Sequence, residues 1–343
     1  MSNIVQNILY ITKDELYVHH ELETVKVEHK KQTLLKIPIH HLRGIVIFST
    51  SSISPSLLHK CLSLGISVTY LSINGRFMGR LEGYKSGNVL LRKEQFRKSE
   101  NDNFKVKIAK SVVAGKLQNS RINLLRTARE TKEGESENTI RLVVSQIESN
   151  LEKLRSCDSL NEIRGYEGSS AKLYFSVFNH CILHQKEDFS FDKRTKRPPR
   201  SRVNTLLSFL YSMFTNDCLS ACQSVGLDPF VGFMHEERPG RPSLALDLVE
   251  EFRAMSDRLV LTMINRKQIK KEDITERPGA VYSLNDDGRQ KVLKIYQERK
   301  KEELTHHYLN TKCMIGEIPL LQARLLARTI RGEEENYIPF IWK

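Results

Sequence analysis

The chain lacks any apolar run of about 18 residues, the length a helix needs to cross a bilayer. Its apolar fraction, 39% of 343 residues, is low as well, and together these exclude a membrane-embedded class. No secretory leader is legible. The opening MSNIVQNILYITKDELYV alternates like a strand and has no basic start, so a cytoplasmic location is expected. Cysteine is sparse and scattered: Cys61, Cys157, Cys181, Cys218, Cys222 and Cys313 form no CxxC. That argues against a disulfide scaffold and suits reduced, mostly buried thiols. Cys218 and Cys222 lie one helical turn apart, as do His180 and His184, but neither pair has a matching second pair at zinc-site spacing. Internal repeats and low-complexity tracts are absent.

Negative charge is also in short supply. Lys and Arg number 54 against 41 Asp and Glu, a net charge of +13. The excess is concentrated. KRTKRPPRSR (193–202) holds six basic residues in ten, and RKQIKK (266–271) four in six. Such density points to a polyanion, most simply nucleic acid, against the plainer reading of a solvated basic loop.

The first 95 residues read as β structure. NILYIT, ELYVHH, TVKVEH, TLLKIPI and GIVIFST are short alternating stretches. One helix interrupts them, with Ser54 as N-cap, Pro55 in the first turn and Gly65 as the stop. Asn74-Gly75 marks a hairpin turn, and Arg76, Arg80 and Arg92 follow. From Phe104 onward the apolar spacing turns helical and stays so to the charged region 284–331. The expected architecture is α+β: a β-sandwich-like domain over 1–95, a linker over 96–103, and a larger all-α domain over 104–343 carrying the site.

Chemistry concentrates in GFMHEERPGRPSLALDLVEEFR (232–253). A helix is expected to start at Ser243 as N-cap. At about 100° per residue, Leu244, Ala245, Leu248, Val249 and Phe252 share one face and Asp247, Glu250 and Glu251 the other. Leu246 intrudes beside Glu250, so the acidic side is expected to be partly buried. A half-buried carboxylate needs a cation or hydrogen bonds. A metal site and an amphipathic helix with solvated acids both remain open at this point. A helical bundle with inward carboxylates and a histidine is one established way to hold a divalent ion.

GYEGSSAKLYF, RPPRSRVNTLLSFLY, GLDPFVGFMHEERPGRPSLALDLVEEFR and DRLVLTMINRKQI, in that order, closely resemble the CRISPR spacer-acquisition integrase, the first CRISPR-associated protein family. LRGIVIFST, SVTYLSINGRFMGRLEG and VLLRKEQF extend the resemblance to nearly the whole chain. The ending ARLLARTIRGEEENYIPFIW is most similar to the type I-C branch. The resemblance implies a metal-dependent DNA endonuclease and integrase. It implies Glu167, His235 and Glu250 as ligands of one Mg²⁺ or Mn²⁺, with Asp247 as a second acid that supports the site or binds metal itself. Two carboxylates and one imidazole are a hard-to-borderline set that suits those ions.

The implied reaction is transesterification, a DNA 3′-hydroxyl attacking a phosphodiester of the repeat, with Asp247 or a bound water as proton acceptor. Arg238 and Arg241 beside the ligand loop, and Arg200 and Arg202 in the basic run, are expected phosphate contacts. Asn204 and Tyr211, seven apart on one helix, could orient the scissile strand, or could be a satisfied buried amide and a core aromatic. Relatives often carry an Asp after RPP, where this chain has Arg200-Ser201-Arg202. The implied partners are double-stranded DNA, a second copy bound through the β domain, and the small ferredoxin-like second CRISPR-associated protein in a heterohexamer. Two readings compete for the same residues: a metal-dependent repair nuclease that cuts without joining, and a catalytically silent DNA-binding scaffold.

Overall fold

The structure, a computed structural model, describes residues 7–48, 50–73, 75, 77–81, 83, 88–131 and 134–342. Asn74 of the expected hairpin turn and Arg76 lie outside them. The chain divides into two compact units, residues 1–86 with 284–294, and residues 87–283 with 295–343. An N-terminal β-rich region followed by a helical one is the architecture the sequence pattern implies.

The β unit contains two four-stranded sheets. One is built from β1 (Asn7–Ile11), β5 (Leu42–Ile47), β7 (Ser67–Leu71) and β8 (Phe77–Leu81), in that order. The first three run parallel and β8 is antiparallel to β7. The other has the order β4-β3-β2-β6, from β2 (Tyr17–Glu21), β3 (Thr24–His29), β4 (Gln32–Pro38) and the short β6 (Ser52–Ile53). Parallel pairing of β5 with β7 needs a crossover, supplied by α1 (Pro55–Ser63). Ser54 caps α1, accepting from Leu57 N–H, as its sequence signals.

β3 alternates with Val25 and Val27 inward, whereas the central β5 buries Leu42, Gly44, Ile45 and Ile47. That is the contrast between a one-faced antiparallel strand and a parallel strand covered on both faces. Val18, Val25, Ile39, Ile45, Leu57 and Val68 share one core. β4 is a sheet edge and leaves Leu34 and Leu35 exposed.

The helical unit begins with α2 (Val89–Glu100) and α3 (Asp102–Glu130). The linker expected over 96–103 is therefore helix, broken only at Asn101, whose side chain caps α3 by accepting from Phe104 N–H. The boundary falls near residue 87, because α2 contacts α3 and the later helices. α4 (Glu135–Leu154) and α5 (Leu160–Ser176) pack on α3. The long α6 (Arg202–Val225) is apolar on most sides and buried along its length, as its sequence implies.

The acidic segment is α7 (Ser243–Val249), a 3₁₀ turn over 250–252, and α8 (Arg253–Asn265). Ser243 is not the N-cap. It occupies the first helical position, and its hydroxyl donates to Glu236 O. The stretch expected to be all helix after that also contains two hairpins, β9 (Ile274–Arg277) with β10 (Val281–Leu284), and β11 (Glu303–His306) with β12 (Thr311–Met314). Four-residue strands in charged sequence leave too few alternations to read. α9 (Asp286–Lys300) and α10 (Ile318–Arg331) complete the elements. Residues 284–294 join the β unit because the buried Arg289 donates to Thr12 O.

Residues 337–342 are built into the interior of the helical unit. Glu251, fully buried, accepts from Tyr337 Oη, Gln322 Nε2 and Phe340 N–H. Asn119 of α3 donates to Phe340 O and Glu251 O and accepts from Trp342 N–H. Gly115 is where the tail passes closest; a Cβ there would lie 2.6 Å from Pro339 Cβ. No described helix is long and apolar enough to cross a membrane.

Candidate active site

Glu167, His235 and Glu250 line one cavity of about 550 Å³ in the helical unit. Glu167 projects from the middle of α5, about two turns past its start. Glu250 starts the 3₁₀ turn, and His235 ends the loop between α6 and α7. Both Glu250 and Asp247 are buried. The acidic side of this segment is therefore interior, which removes the reading of solvated acids.

Asp247 organises the loop. Its Oδ2 accepts from Phe233 N–H at 2.7 Å and Met234 N–H at 3.0 Å. Its Oδ1 accepts from His235 N–H at 2.9 Å and lies 2.8 Å from His235 Nδ1. A carboxylate only accepts, so Nδ1 carries the proton, and in the neutral ring Nε2 keeps the lone pair. This is the arrangement by which an outer carboxylate orients a metal-binding histidine. Four donors already occupy its two oxygens, the arrangement of a supporting carboxylate. Gly232 permits the close approach, since a Cβ there would fall 2.9 Å from Asp247 Oδ2. On α5, Arg164 donates to Met234 O and ties the helix of Glu167 to the same loop.

His235 Nε2 lies 4.0 Å from Glu250 Oε1. Glu250 Oε1 accepts from Arg253 Nε at 2.8 Å, and Arg253 lies over the Tyr211 ring. Glu250 Oε2 is buried and accepts no hydrogen bond. Lys116 Nζ stands 2.6 Å from it, an ion-pair contact outside hydrogen-bond angles, and donates to Glu167 Oε1. Burial opposes ionisation of Glu250, but Arg253 and Lys116 outweigh it and hold the carboxyl well below the usual carboxylate range. Burial likewise opposes the Lys116 charge, and Glu250 and Glu167 together push its ammonium above the ordinary lysine value.

Among the described residues, no three His, Cys, Asp or Glu side chains stand close enough together, as placed, to hold a metal ion. Between Glu167 and Glu250 stands the Lys116 ammonium. The donor set nevertheless fits a hard divalent cation: two carboxylates already gathered on one positive charge, and an imidazole whose other nitrogen is held. Lys116 has already shown where positive charge is stabilised.

The other expected residues divide. Tyr211 lines the cavity but donates to buried Asp257 at 2.5 Å, so its hydroxyl is engaged. Asn204 is a satisfied buried amide, accepting from Arg194 and Thr195 N–H and donating to Lys193 O and Ser201 Oγ. Arg200 donates to Gly279 O, and Arg202 donates to Asp188 O and stacks on Tyr282. Arg238 is exposed and paired with Glu236. Neither it nor Arg241 lines the cavity.

Lys193, Arg194 and Lys196, from the front of the same basic run, do line it, with Lys116 and Arg253. These were missed as site residues. Lys116 left a signal: it is a lysine next to the buried stripe of Ile108, Val112, Gly115 and Asn119 on α3. Arg253 left another, at three residues from Glu250 on a helical segment. Cys218 and Cys222 are buried in α6, and His180 Nδ1 pairs with Ser136 Oγ.

The family model described as CRISPR associated protein Cas1 matches residues 9–298. A relative from Leptospira interrogans, named CRISPR-associated endonuclease Cas1, is 59% identical over 254 residues, covering 74% of this chain and 100% of its own length. Two solved structures share the fold. One is a casposase bound to integration product, with a TM-score of 0.83 at 22% identity over 97% of this chain and 93% of the other. The second is a Cas6-RT-Cas1–Cas2 complex, with a TM-score of 0.81 at 21% identity over 99% of this chain and 36% of the other. The chain belongs to the CRISPR associated protein Cas1 family.

Proposed function

We propose that this protein is a DNA integrase and endonuclease of CRISPR adaptation, joining a short DNA to a repeat by transesterification at the Glu167–His235–Glu250 cavity. The observation that carries the reading is the meeting of two carboxylates from distant elements, Glu167 and buried Glu250, on the single Lys116 ammonium in a cavity edged by the held imidazole of His235. Glu167, Glu250 and His235 Nε2 would hold the ion. A divalent ion of the Mg²⁺ or Mn²⁺ class supplies Lewis acidity at a phosphoryl oxygen.

The chain's own residues do the remaining work. Asp247 fixes the His235 tautomer and ring plane. Arg253 keeps Glu250 ionised and oriented. Lys193, Arg194 and Lys196 supply positive charge along the cavity, suited to DNA phosphates. In the reaction the attacking 3′-hydroxyl gives up its proton and forms a bond to phosphorus as the bond to a target-strand 3′-oxygen breaks, and that oxygen takes up a proton and leaves as a hydroxyl. The number of phosphodiesters is conserved, so no nucleotide has to be spent.

Two joined ends of one duplex call for two cavities in a symmetric assembly. Leu34 and Leu35, exposed on the edge strand β4, suit a homodimer contact in the β unit. The small ferredoxin-like second CRISPR-associated protein is the expected further partner in a heterohexamer; the complex with Cas2 among the fold relatives supports it.

The test is a half-site joining assay with that partner, a short duplex and a supercoiled repeat plasmid. Joined product is expected with Mn²⁺, none with EDTA, and none from His235→Ala. Cutting without joining would favour a repair nuclease, and full activity of His235→Ala would overturn the site.

A further inference from the structure

Lys116 has no part in the chemistry described so far, yet it lines the cavity and meets both carboxylates. Its side chain is 12% exposed and comes from α3, while the two carboxylates it meets come from α5 and from the turn after α7. Fifty-one residues separate Lys116 from Glu167. Three elements distant in sequence thus deliver one ammonium and two carboxylates to a common point. Two carboxylates brought together repel, and a buried one without a counter-charge is strongly disfavoured. The ammonium removes both penalties. A divalent ion shared by the same two oxygens removes them too, with twice the charge.

We propose that Lys116 is a built-in competitor for the ion position, holding Glu167 and Glu250 together and setting how much divalent cation is needed to displace it. This rests on the reading that those carboxylates and His235 hold the ion. The four-methylene stem lets the ammonium swing off the carboxylates, and Ser120 and Asp192 line the same cavity as polar groups for it to meet. Lys116 is a positioning residue here, since it acts on the ligands and not on DNA. The opposite role, an ammonium that stays in place and braces the ligands around the ion, predicts the opposite sign on removal.

Isothermal titration of Mn²⁺ into the full-length protein and into Lys116→Met separates the two. Displacement of a charge-assisted contact predicts binding tighter by about tenfold or more in Lys116→Met. Equal or weaker binding would overturn the proposal. Glu167→Gln in the parent background is the control. If it leaves Mn²⁺ binding unchanged, the ion-site reading has failed, and this inference with it. If Glu167→Gln weakens binding but Lys116→Met does not tighten it, the site stands and only the competitor role falls.

Should Lys116→Met be too unstable for calorimetry, melting in EDTA and in excess Mn²⁺ gives a second readout. The competitor role predicts a larger Mn²⁺-induced rise in Tm for Lys116→Met than for the parent. An equal or smaller rise would refute it.

Discussion

Asp247→Asn distinguishes a support from a ligand or base. Asp247 holds four donors, two on each oxygen. Asparagine is the same size but has one acceptor oxygen and an NH₂ in place of the other. Turned one way, that NH₂ faces the Phe233 and Met234 N–H groups; turned the other, it faces the His235 N–H, while the imidazole can switch tautomer and accept at Nδ1. The second orientation strands one buried donor, which costs about 1–3 kcal/mol. For a unit of this size about 2 kcal/mol corresponds to a fall in Tm of about 4–8 °C. Scanning calorimetry in EDTA measures it without any contribution from bound ion. Hydrogen exchange at the His235 amide should accelerate with it. A carboxylate acting only as ligand or base would give the reverse: neutralising it beside Glu250 relieves repulsion and raises Tm. An Asp247→Asn protein that melts within about 2 °C of the parent, or above it, would refute the support role.

Two further outcomes follow from other buried groups. Burial raises the Asp257 carboxyl from its ordinary 3.8 to about 6, against the hydrogen bond from Tyr211. The folded state therefore favours the neutral acid. Its stabilisation is full below pH 3.8 and is lost as pH rises through 6, about 2 kcal/mol between pH 4.5 and 8. Asp257→Asn keeps an acceptor for Tyr211 and should remove that part of the slope in urea unfolding; identical slopes would refute the shift. Gly115→Ala should destabilise by about 1–3 kcal/mol through overpacking against Pro339, partly offset by helix propensity. Limited proteolysis should then open residues 337–342 first, and a rise in Tm would show that the tail yields freely.

The fold was legible where pattern and environment agree. β3 shows the period of two of a one-faced strand, β5 the apolar run Gly44–Ile47 of a covered one, and Ser54-Pro55 the start of α1. The burial of Asp247 and Glu250 could be read from Leu246, which spoils a solvent face. What could not be read is what depends on distant partners. Nothing in GFMH says that its backbone donors will meet a carboxylate 12 residues on. Nothing in α3 alone says that Lys116 will stand between two acids. Composition alone singles out Arg200 and Arg202 for nucleic acid; the chain fold gives them hydrogen bonds to Gly279 O and Asp188 O and places Lys193 and Lys196 on the cavity. Composition gives a charge excess, and only the loop path decides which charges face a ligand.

The Asn119 clasp on Phe340 and Trp342 spans 221 and 223 residues of chain. On the ribosome, α3 is finished long before the segment that seals it exists. Until residues 337–342 emerge, the polar amide of Asn119 and the groove at Gly115 must wait in contact with water or with a chaperone. The helical unit should therefore acquire its last increment of stability late and in a single step.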